Sequence, residues 1–186
     1  MNPPVSRDCS DEELVCAAQS GNRAAFGFLY ERYARMVHGI LLGRVPRQAV
    51  EDLVQDVFLR AMPRVSSLRE KDHFGGWVAA IARNCATDFF RRSENADQLD
   101  EDPSEGSSSE ENSSDSAEAH AVLVAIRTLP EAYREPLILR LVEGMTGPEI
   151  AERTGLTHGS VRVNLHRGMQ QLREILQGGR RAEHPR

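Results

Sequence analysis

The sequence predicts an all-α protein, built as two small helical domains on either side of an acidic linker. Three observations carry that expectation. Outside one stretch, apolar residues recur at three- and four-residue steps, the mark of helices with a single buried face. No segment alternates apolar and polar residues as a half-buried strand does. Residues 93–118 hold ten acids, eight serines and no Lys or Arg, with Leu99 as their one large aliphatic side chain. Such a stretch cannot bury enough apolar surface to offset the entropy lost on ordering, so it reads as a linker.

Each element has a local cause. Ser10 and Glu13 form a capping box, and the helix from Asp11 to about Gln19 stops at the Gly21-Asn22 turn signal. A second helix starts near Arg23, and Phe26, Leu29, Tyr30, Tyr33, Val37, Ile40 and Leu41 make its buried stripe until Gly43. Pro46 marks the break. The third, from about Gln48 to Ala61, turns Val50, Leu53, Val54, Val57 and Phe58 inward and leaves Glu51, Asp52, Gln55, Asp56 and Arg60 on its other faces; Pro63 closes it. After a polar loop through Lys71 and His73, a fourth helix from about Phe74 to Arg92 aligns Trp77, Ile81, Cys85 and Phe89. Trp77 therefore reads as core. Beyond the linker, helices are expected over about Ala119 to Arg127, Glu131 to Glu143, Pro148 to Arg153 and His158 to Gln177, followed by a frayed tail from Gly178 to Arg186.

Composition narrows the function. The 186 residues carry a formal charge of −5, which on its face disfavours a nucleic-acid partner. The linker's ten acids account for that sign, because the remaining residues sum to +5. Basic character is thus divided between two flanking blocks. Cys9, Cys16 and Cys85 form no CxxC pair, so reduced thiols are expected in place of a disulfide framework or a zinc site. The longest aliphatic run, Ala121 to Ile126, is far short of the roughly 18 residues a membrane helix needs. No signal-peptide core is present at the amino terminus, and the expectation is a cytoplasmic protein without membrane insertion. A helical metalloenzyme or hydrolase would need a convergent His/Cys/carboxylate cluster or a nucleophile motif, and neither occurs; no catalytic residue, metal or cofactor is expected.

The second domain carries a helix-turn-helix pattern: Pro148 after Thr146-Gly147, small Ala151, Gly155 at the turn, Leu156, and Val161 six residues after Gly155. Two helices crossing steeply need a small residue at the contact, a glycine where the chain turns and an apolar residue to lock the pair. Thr157 can cap the second of these helices, and Val161, Leu165, Met169, Leu172 and Leu176 form its packed stripe. Arg162, Asn164, His166 and Arg167 are then forced outward, in an interval, 157–181, with five arginines against Glu174. Arg can donate two hydrogen bonds to guanine and Asn can pair with adenine, while Thr157, His158 and Ser160 at the amino end suit phosphates.

Both halves together resemble the bacterial RNA polymerase sigma factors of the extracytoplasmic-function (ECF) group, the shortest members of the sigma-70 family, which have regions 2 and 4 only. The strings that carry the resemblance are VEDLVQDVFLR (50–60), similar to region 2.2; Trp77 through IARN (81–84) to Asp88, Arg91 and Arg92, similar to regions 2.3 and 2.4; and LPE (129–131) leading into the helix-turn-helix, similar to region 4. On this basis residues 10–92 are region 2, 93–118 the flexible linker and 119–177 region 4.

The resemblance implies roles for matching positions. Asp52 and Asp56 lie four apart on one helix face with Gln55 beside them, and would dock the clamp-helix coiled coil of the polymerase beta-prime subunit. Leu53, Val57 and Phe58 would be structural. Arg83, Asn84, Asp88, Arg91 and Arg92 would meet the minus-10 element, with Asp88 holding an arginine in place. The loop 66–76 would hold an extruded non-template base, for which Lys71, His73 and Phe74 are the candidates. The minus-35 face would comprise Thr157, Ser160, Arg162, Val163, Asn164, His166 and Arg167; family members often carry a polar residue where this chain has Val163. Further implied partners are the polymerase beta flap and an anti-sigma factor. At about 90 Å when extended, the linker is expected to thread the polymerase channel used by RNA. The rival reading is a two-domain helix-turn-helix regulator that never joins polymerase.

Overall fold

Several helix starts in this chain are set by side chains that accept the free amides of a first turn. Glu13 accepts from the Ser10 amide at 2.7 Å while Ser10 Oγ accepts from the Glu13 amide at 3.3 Å, so the predicted capping box opens α1 (Asp11–Gln19). Asn22 accepts from the amides of Ala24 and Ala25 and opens α2 (Arg23–Leu42). A 3-10 turn at Arg47–Ala49 precedes α3 (Val50–Ala61), and two more, Met62–Ser67 and Lys71–His73, lead into α4 (Phe74–Asp97). The second half consists of α5 (Ser114–Thr128), α6 (Glu131–Leu141), α7 (Gly147–Thr154) and α8 (His158–Ala182). The computed structural model describes residues 5–97 and 114–182, and among them all regular structure is helical.

Three helices are longer than the sequence pattern predicts. α4 continues five residues past Arg92, because nothing from Ser93 to Asp97 is a Pro or Gly that would stop it. α5 begins at Ser114, five residues before Ala119. α8 runs through Gly178 and Gly179, each costing about 1 kcal/mol relative to Ala, too little to end a helix already nucleated. The remainder of the expected linker, 98–113, and of the expected tail, 183–186, lie outside the described residues. By contrast, α6 stops two residues short of Glu143, because Gly144 takes a left-handed backbone (φ 68°) and the Met145 amide returns to the Leu139 carbonyl at 2.9 Å.

In the first domain α2 is the axis against which α1, α3 and α4 pack. Phe26 at its centre meets Phe58 of α3 and Phe74 of α4 edge-on, with ring centroids 6.4 Å apart in both pairs. The second domain packs α6 and α8 together, with α5 and α7 against them. A second capping box, Thr146 with Glu149, opens α7, and Gly155 closes it in the left-handed conformation (φ 73°) that the steep helix-turn-helix corner requires.

The two domains also pack on each other, α6 against α2 and α7 against α4. The carbonyls left free at the end of α2 are taken by arginines of the second domain: Arg127 donates to Leu42 at 2.8 Å and Val45 at 2.9 Å, and Arg134 to Gly43 at 3.3 Å. Arg44 reaches the other way, to Glu131 at 2.6 Å and Glu135 at 2.9 Å. Glu143, 7% exposed, accepts from His38 Nδ1 at 2.7 Å, and its main-chain carbonyl accepts from Arg35.

That hydrogen bond to Glu143 holds the His38 pKa above its ordinary value, against partial burial, with Glu51 adding to the rise and Arg47 opposing it. A group whose pKa is raised by docking stabilises the docked arrangement below its undocked pKa and loses that contribution as pH rises through the docked value. The domain contact is therefore expected to loosen with alkalinity, as pH rises from the ordinary histidine range through the higher docked pKa of His38. The check is the rate of amide hydrogen exchange in α6 relative to the core of α2, corrected for intrinsic pH dependence; His38→Gln should remove the trend.

Candidate nucleic-acid interfaces and docking face

The candidate residues fall on three surfaces. The first is the outer face of α3. Its inward stripe (Val50, Leu53, Val54, Val57, Phe58) is buried, as the sequence pattern predicts, and this leaves Asp52 and Gln55 exposed and Asp56 half-buried on the opposite side. The face continues through Leu59, 65% exposed, three residues beyond Asp56 and four beyond Gln55. Sequence reasoning missed Leu59. Its signal was available: an aliphatic residue off the buried stripe and beside carboxylates, a composition suited to a partner helix with basic and apolar side chains.

The second surface lies on α4 and the turns before it. Asn84, Asp88 and Arg91 share one face at four- and three-residue steps, with Asn84, Arg91 and Arg92 exposed. Asp88 accepts from Arg60 of α3 at 3.1 Å and from Arg91 at 2.9 Å, so it fixes two guanidinium groups side by side, as the sequence reading held for one. Arg60 thereby joins the cationic face, a long-range placement that no local spacing reveals. Lys71 Nζ lies 3.1 Å from Cys16 Sγ, and His73 is exposed with Nδ1 2.9 Å from Asp72.

One expectation for this surface is corrected. Phe74, proposed to stack on an extruded base, is 0% exposed, its ring 5.3 Å from that of Tyr33 and 5.5 Å from that of Trp77. It opens the apolar stripe of α4, three residues before Trp77 and four before Val78, and belongs to the core. Half-buried Trp77 packs against the same core, in keeping with its predicted structural place.

Arg83 is the residue the structure places least as expected. Its guanidinium is turned to the second domain, donating from Nη2 to Glu135 Oε1 at 2.7 Å and from Nε to Oε2 at 3.1 Å. Glu135 is 5% exposed and is also reached by Arg44, so two cations compensate one buried carboxylate.

The third surface is the first half of α8. Thr157 accepts from the Ser160 amide at 3.1 Å and donates to the Ser160 hydroxyl at 2.8 Å, capping the helix as predicted and engaging both side chains. Val161 and Leu172 are buried against α6 and α7, which turns Arg162, Val163, His166 and Arg167 outward; Asn164 is half-buried. Those four outward residues line one shallow concavity. It is a cationic helix face with its capped amino end free, which fits a major groove. Among the described residues no group of three His, Cys, Asp or Glu is arranged to hold a metal ion, and no helix is long and apolar enough to cross a membrane.

The structure thus holds two helical domains, one with a cationic face on α8 and the other with an acidic face on α3 beside a cationic one on α4. Comparison with known proteins names the family. The family description "Sigma-70 region 2" matches residues 29–96 and "Sigma-70, region 4" matches residues 119–172. The ECF RNA polymerase sigma-E factor of Haemophilus influenzae is 30% identical over 186 residues, covering 93% of this chain and 98% of that one. The ECF RNA polymerase sigma factor BldN of Streptomyces coelicolor is 33% identical over 172 residues; the match covers 88% of this chain and 65% of BldN's length. Among solved structures, CnrH in complex with the cytosolic domain of CnrY matches with a TM-score of 0.62 and 25% identity, over 90% of this chain and 97% of that one. The chain belongs to the ECF group of the sigma-70 family.

Proposed function

We infer that this chain is a promoter-specificity subunit of bacterial RNA polymerase, which joins the core enzyme, directs it to promoters through minus-35 and minus-10 elements and promotes melting. The observation that carries the reading is the combination of two separate cationic faces, on α4 and α8, with an acidic face on α3 that neither DNA contact can use. Residues 10–92 would serve polymerase and minus-10 binding and 119–177 minus-35 binding, with the stretch between them passing through the enzyme. Asp52, Gln55, Asp56 and Leu59 would dock the beta-prime clamp helices, and the beta flap would take part of region 4. Asn84, Arg91, Arg92 and the Arg60–Asp88 pair would face the minus-10 strand, with Lys71 and His73 at the unpaired base. An anti-sigma factor, acting in the cytoplasm by covering these same faces, completes the reading.

The protein supplies binding energy and no bond-making step. Capture of unpaired bases shifts the DNA toward the open form by the difference in affinity for the two states. The test is whether purified core polymerase starts transcripts at a discrete promoter set only when the chain is added; the same start sites without it would refute the reading.

The cationic face of α8 gives a second expectation. Arg162→Ala and Arg167→Ala should each weaken binding to a minus-35 duplex by about 1–3 kcal/mol, roughly 5- to 150-fold. Competition binding at several salt concentrations separates the two kinds of contact: a base contact relaxes sequence preference, whereas a phosphate contact lowers the salt slope by about one.

A further inference from the structure

The turns that lead into α4 are tied to the last turn of α1. Gln19 is half-buried there, and its Nε2 donates to two main-chain carbonyls, Val65 at 3.0 Å and Leu68 at 2.9 Å. A carboxamide nitrogen carries two hydrogens, so both are used. The two acceptors bracket a change of backbone: Val65 lies within the 3-10 turn Met62–Ser67, and at Leu68 the chain becomes extended (ψ 114°). One turn earlier on α1, Cys16 Sγ accepts from Lys71 Nζ at 3.1 Å. Arg69, Glu70, Asp72 and His73 are exposed beside these two ties. The helix that makes them is itself fixed to α2. Arg32 and Tyr33 both donate to Asp11, Arg32 also donates to the carbonyls of Arg7 at 2.7 Å and Cys9 at 2.8 Å, and Leu14 and Val15 are fully buried.

We propose that Gln19 is a positioning residue for capture of the unpaired base: its two hydrogen bonds fix the path of residues 65–68 and so hold Lys71 and His73 where the base reaches them. The proposal rests on the promoter-specificity reading and adds to it a determinant that lies outside the loop and touches no DNA. Three residues span at most about 11 Å, so fixing Leu68 bounds the position of Lys71. A loop without such ties samples many backbone conformations, and apparent affinity falls with the fraction that is competent to bind. An apolar side chain at position 19 could pack against the turn but could not hold its carbonyls in register. Cys16 has the lighter part. A sulfur is a weak acceptor, so it orients the Lys71 ammonium and leaves it free to move to DNA.

The test uses the full chain in complex with core polymerase and the non-template strand of a promoter first mapped by run-off transcription. Single abasic substitutions along the minus-10 element locate the position where removing a base weakens binding most. The ratio of the two affinities, intact strand over abasic strand, then measures capture. Gln19→Met keeps the length and helix propensity of the side chain and removes both donors, whereas Gln19→Lys keeps donors. If loss of the two bonds leaves the loop competent about one-tenth of the time, Gln19→Met lowers the ratio by up to about tenfold. Gln19→Lys stays near the natural ratio, because its added charge acts on both strands alike, and Gln19→Met binds the abasic strand as the natural chain does. An unmoved ratio in Gln19→Met, whether or not its thermal melt falls, assigns Gln19 to stability alone and overturns the proposal. So does a loss that is equal on both strands, or a Gln19→Lys ratio as low as that of Gln19→Met; each leaves the parent reading standing. A natural complex in which no position is sensitive to base removal overturns the base-capture reading and this proposal with it.

Discussion

Reversing the charge of the α3 face, with Asp52→Lys and Asp56→Lys together, is expected to weaken association with core polymerase by at least about 100-fold while leaving the chain folded. Close charge pairs across protein interfaces couple by about 1.5–7 kcal/mol each, so losing two and installing repulsion exceeds the roughly 2.7 kcal/mol that a 100-fold change represents. The cost to the fold is much smaller. Asp52 is exposed in the first turn of α3, where an acid gains about 0.3–1 kcal/mol from the helix dipole, and neither carboxylate has an ion-pair partner within the described residues. Fluorescence titration of labelled chain with core enzyme reads the loss, and a thermal melt within a few degrees of the natural sequence shows that it is not unfolding. Leu59→Ser should weaken the same association more modestly, because a single exposed aliphatic contact is at stake.

The second large effect concerns Phe74. Its ring is fully buried among Phe26, Tyr33 and Trp77, so Phe74→Ala removes a core aromatic and is expected to cost about 3–5 kcal/mol of stability, a large fraction of what holds a small domain together. Phe74→Leu keeps most of the volume and should cost much less while preserving single-strand binding. Urea denaturation of both variants separates this assignment from a role in base stacking. A ring that stacks on an extruded base would give an Ala variant with an unmoved midpoint and lost strand affinity, and the Leu variant would fail with it.

Phe74 also shows where sequence legibility ended. The residue follows a polar loop and precedes Gly75-Gly76, so its neighbours read as loop, yet its steps to Trp77, Val78 and Ile81 are those of a buried stripe. The helical period was visible once the stripe was extended back by one turn. Small core residues such as Ala79, Ala82 and Ala86 were invisible for a different reason, since Ala is neutral in a pattern of large apolar side chains. Features fixed by backbone amides and turns were legible locally: the Ser10–Glu13 box, the Thr157 cap and the Gly155 corner each follow from residues within a few positions. The Thr146–Glu149 box was equally local and went unread, because Pro148 drew the helix start one residue late.

The docking of the two domains had no local signature. Arg83 and Glu135 are 52 positions apart and His38 and Glu143 are 105 apart, and no periodicity links charges at such separations. A retrospective hint is Glu135 itself, an acid at the head of the apolar run from Pro136 to Leu139, where an unpaired carboxylate would not be tolerated. Arg60 beside Asp88 is another such case. The chemistry of the α8 face was legible because one helix carries it; that of the α4 face was legible only in part because α3 and the second domain both contribute to its state.

The account rests on the chain riding core polymerase, and the most direct measurement is co-elution of the full chain with purified core enzyme on a sizing column at moderate ionic strength. It predicts a one-to-one complex for the natural sequence and free chain for Asp52→Lys/Asp56→Lys. A natural chain that elutes apart from the enzyme while still binding duplex DNA would contradict it and favour a regulator that acts without polymerase.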